Sequence, residues 1–309
     1  MRGVGSPMAK AFGFVDYGGP ETQDFLDRPA LEPGPGQLAI AVRAAGVNPV
    51  DWKIRRGLLG RRRELPAVMG QEASGVVQQV GPGVADFTPG DEVFGITAAG
   101  AFAEQTLLSA GSSALKPEGV GFDQAATLSV SVATADDAIR DLGLGAGRTL
   151  LILGIAGGVG SAAAQIARSR GLTVLGTASD TGRAYVESLG AVQIRYGDGV
   201  AERITAAAPG GVDGILDLVG GDALRAAVHA LKDRAELVST ADQATAAELG
   251  GRYVTRSTTP ETLAALAALV AAGELDPHIT ARYPLAHVAE ALALVESGHA
   301  RGKVVLEVA

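Results

Sequence analysis

The clearest chemistry in the 309-residue chain lies in "LILGIAGGVGSAAAQIARSR", Leu151 to Arg170. An apolar run ends in glycines and continues into a helix of small residues. Gly157, Gly158 and Gly160 lack Cβ bulk, so the backbone N–H groups of the turn, that of Val159 included, can approach a pyrophosphate, and the helix N-terminus adds partial positive charge. The match to the spacing G-x-G-x-x-G is incomplete, because Ile155 stands at its first position and Gly157 and Gly160 at its second and third. The next apolar run ends "VLGTASD", with Ala178 where an NAD site carries an acid that accepts from the ribose hydroxyls. Ala178 leaves room for a 2′-phosphate. Ser179 can donate to that phosphate, and Arg183 can pair with it from the following helix, while Asp180 adds opposing charge. The expected cofactor is therefore NADPH.

Other reactive groups are few. With no cysteine, disulfides, a thiolate nucleophile and Cys-ligated zinc are all excluded. The histidines His229, His278, His287 and His299 are far apart and are expected on the surface. Asp136 and Asp137 are neighbours on a helix and do not face each other, so they are expected on a solvated face. "GRRRE", Gly60 to Glu64, reads as a solvated basic loop. A net charge of -8 argues against nucleic acid or an anionic membrane as the main partner. No secretory leader and no apolar run of about 18 residues is visible, so no membrane insertion and a cytoplasmic location are expected.

These residues need elements to hold them. Residues 1–125 read as short alternating strands separated by Gly and Pro turns, as in "GQLAIAVRAAGV" and "GVVQQVGPGV". From about Thr127 helix and strand alternate: "VATADDAIRDLGL", "RTLLIL", "GSAAAQIARSR", "LTVLGTA", "TGRAYVESLG", "VDGILDLVG", "GDALRAAVHAL" and "AELVST". That rhythm predicts a doubly wound parallel sheet over residues 126–272. Helices are expected in "PETLAALAALVAAGEL" and "PLAHVAEALALVESG". Residues 273–309 are expected to return to the first domain through the strand "GKVVLEVA". The fold class is α/β, a β-rich domain joined to a parallel-sheet domain.

Four blocks, "AAGVNPVDWKIRRG", "PAVMGQEASGVVQQVGPGV", "FTPGDEVFG" and "LGIAGGVGSAAAQIARSRG", together resemble the medium-chain dehydrogenase/reductase superfamily in its zinc-independent quinone oxidoreductase, or zeta-crystallin-like, branch. "ILDLVGG" and "GHARGKVVLEV" agree with it. The resemblance implies a GroES-like catalytic domain, a Rossmann domain and a homodimer paired through the latter. Where zinc-dependent relatives carry Cys, His and Cys, this chain has Asn48, Gln71 and Val130, none a strong zinc ligand, although the family glutamate is kept as Glu72. Metal-free hydride transfer to an activated acceptor, a quinone or a related enone, is the reaction implied. An enoyl-thioester or alkenal reductase and a non-catalytic NADPH-binding crystallin-type protein are the alternatives. The resemblance assigns Asn48 to the acceptor and the nicotinamide pocket, and Thr134 to the nicotinamide. Tyr196, Val219 and Ser239 are placed at the cofactor. Lys53 stands where several relatives carry Tyr and could act on the developing oxyanion, and Asp51 either acts in the pocket or holds its loop.

Overall fold

The computed structural model describes residues 8–232 and 236–309. The chain begins with β1 (Met8–Phe14), β2 (Gln23–Pro29), β3 (Gln37–Val47), α1 (Pro49–Arg55), β4 (Ala67–Val68), β5 (Glu72–Val80), β6 (Glu92–Thr97), β7 (Gln105–Leu115) and α2 (Phe122–Ala125). A single π-helical turn, Leu128–Val132, runs into α3 (Ala133–Leu142). Then follow β8 (Thr149–Leu153), α4 (Gly158–Ser169), β9 (Thr173–Ala178), α5 (Arg183–Ser188), β10 (Val192–Arg195), α6 (Val200–Ala207), β11 (Gly214–Asp217) and α7 (Gly221–Ala227). β12 (Leu237–Ser239), α8 (Gln243–Glu248), β13 (Arg252–Tyr253), α9 (Pro260–Ala271), β14 (Ile279–Pro284), α10 (Val288–Glu296) and β15 (Lys303–Glu307) complete the chain. The expected strand "AELVST" begins at Ala235, which lies outside the described residues. Its remainder forms β12.

Contacts divide the chain into two compact units. The first holds the chain up to Val130 together with Thr258–Glu274 and Ile279–Ala309. Its larger sheet has the order β14-β15-β3-β5-β6-β7, and β7 also pairs with β3, so the sheet curls back on itself. Phe12, Phe14, Leu38, Ile40, Phe102 and Leu108 fill the core with Val288, Leu292 and Val295 of α10. β15 pairs antiparallel with β3, Val304 opposite Val47. The units differ from the sequence boundaries at 126–130, at α9 and at Leu275–His278, which falls in the second unit rather than in the return. That helix buries Leu263, Leu266, Ala267 and Val270 and packs on β7 of the first unit. Its helical period was readable, but nothing in it says which sheet the apolar stripe will cover.

The second unit, Ser131–Ser257 with Leu275–His278, is a six-stranded sheet in the order β10-β9-β8-β11-β12-β13, every pairing parallel. β8 and β9 are interior strands and almost wholly buried, which is why they read as continuous apolar runs rather than alternating ones. α6 and β10 were not fully predicted, because each is short and its apolar pattern is broken by charge.

Candidate active site

The glycine turn follows β8. Gly154 has φ of +84° and donates its N–H to Thr177 Oγ1 at 3.0 Å. Ile155 is fully buried, and its Cδ1 would lie 2.4 Å from a Cβ added at Gly176 of β9. The tight-turn glycine is thus Gly154, one residue before the expected position, and Ile155 is a packing residue. Gly157 caps α4 without a side-chain hydrogen bond, so the first-turn N–H groups have no side-chain cap. A Cβ at Gly160 would lie 2.5 Å from Gly154 O and 2.7 Å from Ile155 Cα, closer than packing allows. A 12-residue helix opening in an uncapped glycine turn fits a dinucleotide pyrophosphate.

At the end of β9, Ala178 is buried and is followed by Ser179, whose Oγ lies 3.0 Å from Thr181 Oγ1. Arg183 opens α5, half exposed, 3.6 Å from Glu187. Asp180 meets Arg195 at 3.6 Å, which offsets the negative charge feared at this position. Tyr196 is exposed and donates its N–H to Ala178 O at 3.4 Å. Arg203 Nε donates to Arg195 O at 2.9 Å, and its Nη2 to Gly197 O at 3.1 Å, holding the loop that carries Tyr196. Arg183, Arg195 and Arg203 line a concavity of about 350 Å³. Neither Arg195 nor Arg203 was singled out from the sequence. Only the proximity of α5, β10 and α6 groups them.

Val219 is exposed, its N–H bound to Asp217 Oδ1 at 3.0 Å. Ser239 departs from expectation. It is fully buried, donates to Asp217 Oδ2 at 2.6 Å, and accepts from Asp242 N–H at 3.0 Å. Its hydroxyl is committed to closing the ends of β11 and β12. Thr134 is buried in the first turn of α3. Asp137 is a second correction: far from solvated, it is buried, accepts from Ser257 N–H at 3.0 Å and pairs with Arg140. Asp136 pairs with Arg170 at 2.6 Å. Arginines that follow later in the chain neutralise both acids. His278, expected at the surface, stacks its ring on Tyr185 at 3.7 Å between centroids.

In the first unit, Asn48 caps α1 and lies inside a buried polar cluster. Its Nδ2 donates to Glu72 Oε1 at 2.8 Å and, less closely, to Gly46 O at 3.3 Å, and its Oδ1 accepts from Lys303 Nζ at 2.6 Å. Asn48, Glu72 and Lys303 are 2%, 0% and 3% exposed. The resemblance assigns Asn48 to the acceptor and the nicotinamide pocket; here one amide hydrogen is drawn to the buried Glu72 carboxylate and the other points to Gly46 O. Glu72 Oε2 accepts from Val130 N–H at 2.7 Å. Asp51 Oδ2 accepts from Asn48 N–H at 2.8 Å, forming a capping box, while its Oδ1 is buried without a hydrogen bond. Burial above all, with Glu72 adding to it, pushes the Asp51 carboxyl up to about 8 against the pull of the Asn48 N–H and Lys303. Lys53 is half-buried, its ammonium 5.8 Å from the Trp52 ring. Arg61, Arg62 and Arg63 are exposed as expected, with Tyr17 Oη accepting from Arg63 N–H at 2.6 Å. Gln71 O accepts from Thr97 N–H at 2.9 Å. Among the described residues no three His, Asp or Glu side chains gather as a metal-ligating group, and no helix is long and apolar enough to cross a membrane.

Residues 34–133 match the model of the alcohol dehydrogenase GroES-like domain, and 189–306 that of a zinc-binding dehydrogenase. The quinone oxidoreductase of Pongo abelii is 32% identical, over 98% of this chain and 99% of its own. The synaptic vesicle membrane protein VAT-1 homolog of Mus musculus is 35% identical over 76% of this chain, and the match spans 59% of that longer protein. Among solved structures, the quinone oxidoreductase from Coxiella burnetii has a TM-score of 0.91 at 32% identity, covering 98% of this chain and all of that one (100%). A mycobacterial protein solved in complex with NADPH has a TM-score of 0.86 at 30% identity, covering 97% and 100%.

Proposed function

The chain belongs to the quinone oxidoreductase branch of the medium-chain dehydrogenase/reductase superfamily, and from that premise we propose that it is an NADPH-dependent reductase of quinones or related activated enones, working without zinc. The observation that carries the cofactor is Ala178. It ends β9 where an acid would select NAD, and Ser179, Arg183 and Tyr196 stand around it with a concavity lined by three arginines. The mycobacterial neighbour holding NADPH supports the same reading. Gly157, Gly158, Val159 and Gly160 would hold the pyrophosphate on the first turn of α4. Thr134 and Val219 would border the rest of the cofactor.

The cofactor supplies the hydride, and an acceptor that is already electrophilic needs no Lewis acid to take it. Asn48 would offer the acceptor oxygen its weaker-held hydrogen, the one now 3.3 Å from Gly46 O. That exchange replaces a long neutral bond by one to a developing oxyanion. Lys53, on the helix that Asn48 caps, would act on the developing oxyanion, and water would deliver the proton. The protein is expected to act in the cytoplasm as a homodimer, with a small molecule as its substrate.

The test is oxidation of NADPH and of NADH against a panel of quinones, enals and enoyl thioesters, with and without chelator. Turnover of quinones with NADPH, unchanged by chelator, is expected. Turnover confined to thioesters, preference for NADH, or loss of activity that zinc restores would each overturn the matching part of the reading.

A further inference from the structure

Lys303 lies in the returning strand, where the sequence alone assigns it no role, yet it sits at the centre of the buried cluster. It is the first residue of β15, whose neighbour Val304 pairs with Val47. On the other side of β3, Gly46 pairs with Glu72, the first residue of β5. Three adjacent strands therefore bring Lys303, Asn48 and Glu72 together at one end of the sheet. The ammonium lies 2.6 Å from Asn48 Oδ1 and 3.2 Å from Glu72 Oε1.

We propose that Lys303 is a positioning residue for the reduction, holding the Asn48 amide in one orientation with Oδ1 toward the ammonium and Nδ2 toward Glu72. The inference rests on the reading of Asn48 as the partner of the acceptor oxygen. An asparagine amide has two orientations of nearly equal shape. Turning it over here would set the amide hydrogens against an ammonium, which accepts no hydrogen bond, and Oδ1 against a carboxylate. All three side chains are at most 3% exposed, so water does not replace the lost partners. The ammonium also draws electron density from Oδ1, which makes Nδ2 a stronger donor. Lys303 touches neither cofactor nor acceptor in this account. It acts through Asn48.

Removing the ammonium alone leaves Glu72 as an uncompensated buried charge and invites misfolding. The informative variant is therefore the charge-balanced pair K303M/E72Q, measured beside N48A and the triple variant, each checked for folding by circular dichroism. The acceptor is 1,4-benzoquinone with NADPH. K303M/E72Q should lower kcat/KM for the quinone about tenfold, keep KM for NADPH within about twofold, and cost nothing further once Asn48 is already Ala. A folded K303M/E72Q with unchanged kcat/KM, while N48A is impaired, overturns this proposal and leaves the reading of Asn48 standing. So do losses that multiply independently in the triple variant. If N48A is itself silent, the reading of Asn48 falls and the role of Lys303 falls with it.

Discussion

The polar groups around Asn48 and those around Ala178 are two answers to the problem of holding charge. In the first unit, Asn48, Glu72, Lys303 and Asp51 are out of water, and apart from Asp51 Oδ1 they are answered within the protein at 2.6–3.3 Å. In the second, Arg183, Arg195 and Tyr196 stand in solvent, with ion pairs no shorter than 3.6 Å. Buried groups are expensive to leave unmatched, so they specify geometry. Exposed cations are cheap to leave loosely paired, so they remain available to an incoming anion.

That contrast predicts a descending order of effects. Lys303→Met alone should destabilise the first unit most, by about 3–5 kcal/mol in denaturant unfolding, because it strands Glu72. A loss below about 1 kcal/mol would mean that the cluster is wetter than its burial implies. Gly160→Ala should come next, at about 1–3 kcal/mol, since its Cβ meets backbone at 2.5 Å. NADPH binding, followed by fluorescence titration, should be lost with it.

Asp51 adds a pH dependence. Its folded carboxyl titrates at about 8 against an ordinary value of 3.8. Between those values the native state binds more protons than the unfolded one, so stability falls as pH rises from about 4 through about 8. Asp51→Asn keeps an acceptor for the Asn48 N–H and should flatten Tm against pH across that window. An unchanged slope would assign the pH dependence elsewhere. In the exposed region, Arg183→Ala should lower kcat/KM for NADPH about tenfold and leave NADH unchanged, the yield of one charge-assisted bond at a surface. Glu187→Ala should be the smallest, within about 0.5 kcal/mol in stability, because its pair with Arg183 is solvent-exposed.

Much of this was readable from residue order. The strands β8 and β9, the glycine turn and the helix α4 follow from local rules: buried runs, Cβ-free turns and small-residue packing act between residues close in the chain. The missing acid at Ala178 was legible for the same reason, since it is a property of the strand end itself. Even there the position of the left-handed glycine differed by one residue, because the contact that decides it, Ile155 against Gly176, crosses two strands. Asp137 and Ser239 were misplaced because their partners, Ser257 and Asp217, are distant in sequence.

The sequence by itself determined the two kinds of domain, the order of their elements, and the succession of strand, glycine turn and small-residue helix from β8 to α4. Only the tertiary structure decided what surrounds Asn48. Lys303 is 255 residues away, and Glu72 is 24 away. Strand pairing brings them together, and hydrophobic periodicity marks which face of a strand is buried but not which polar side chain will meet which inside.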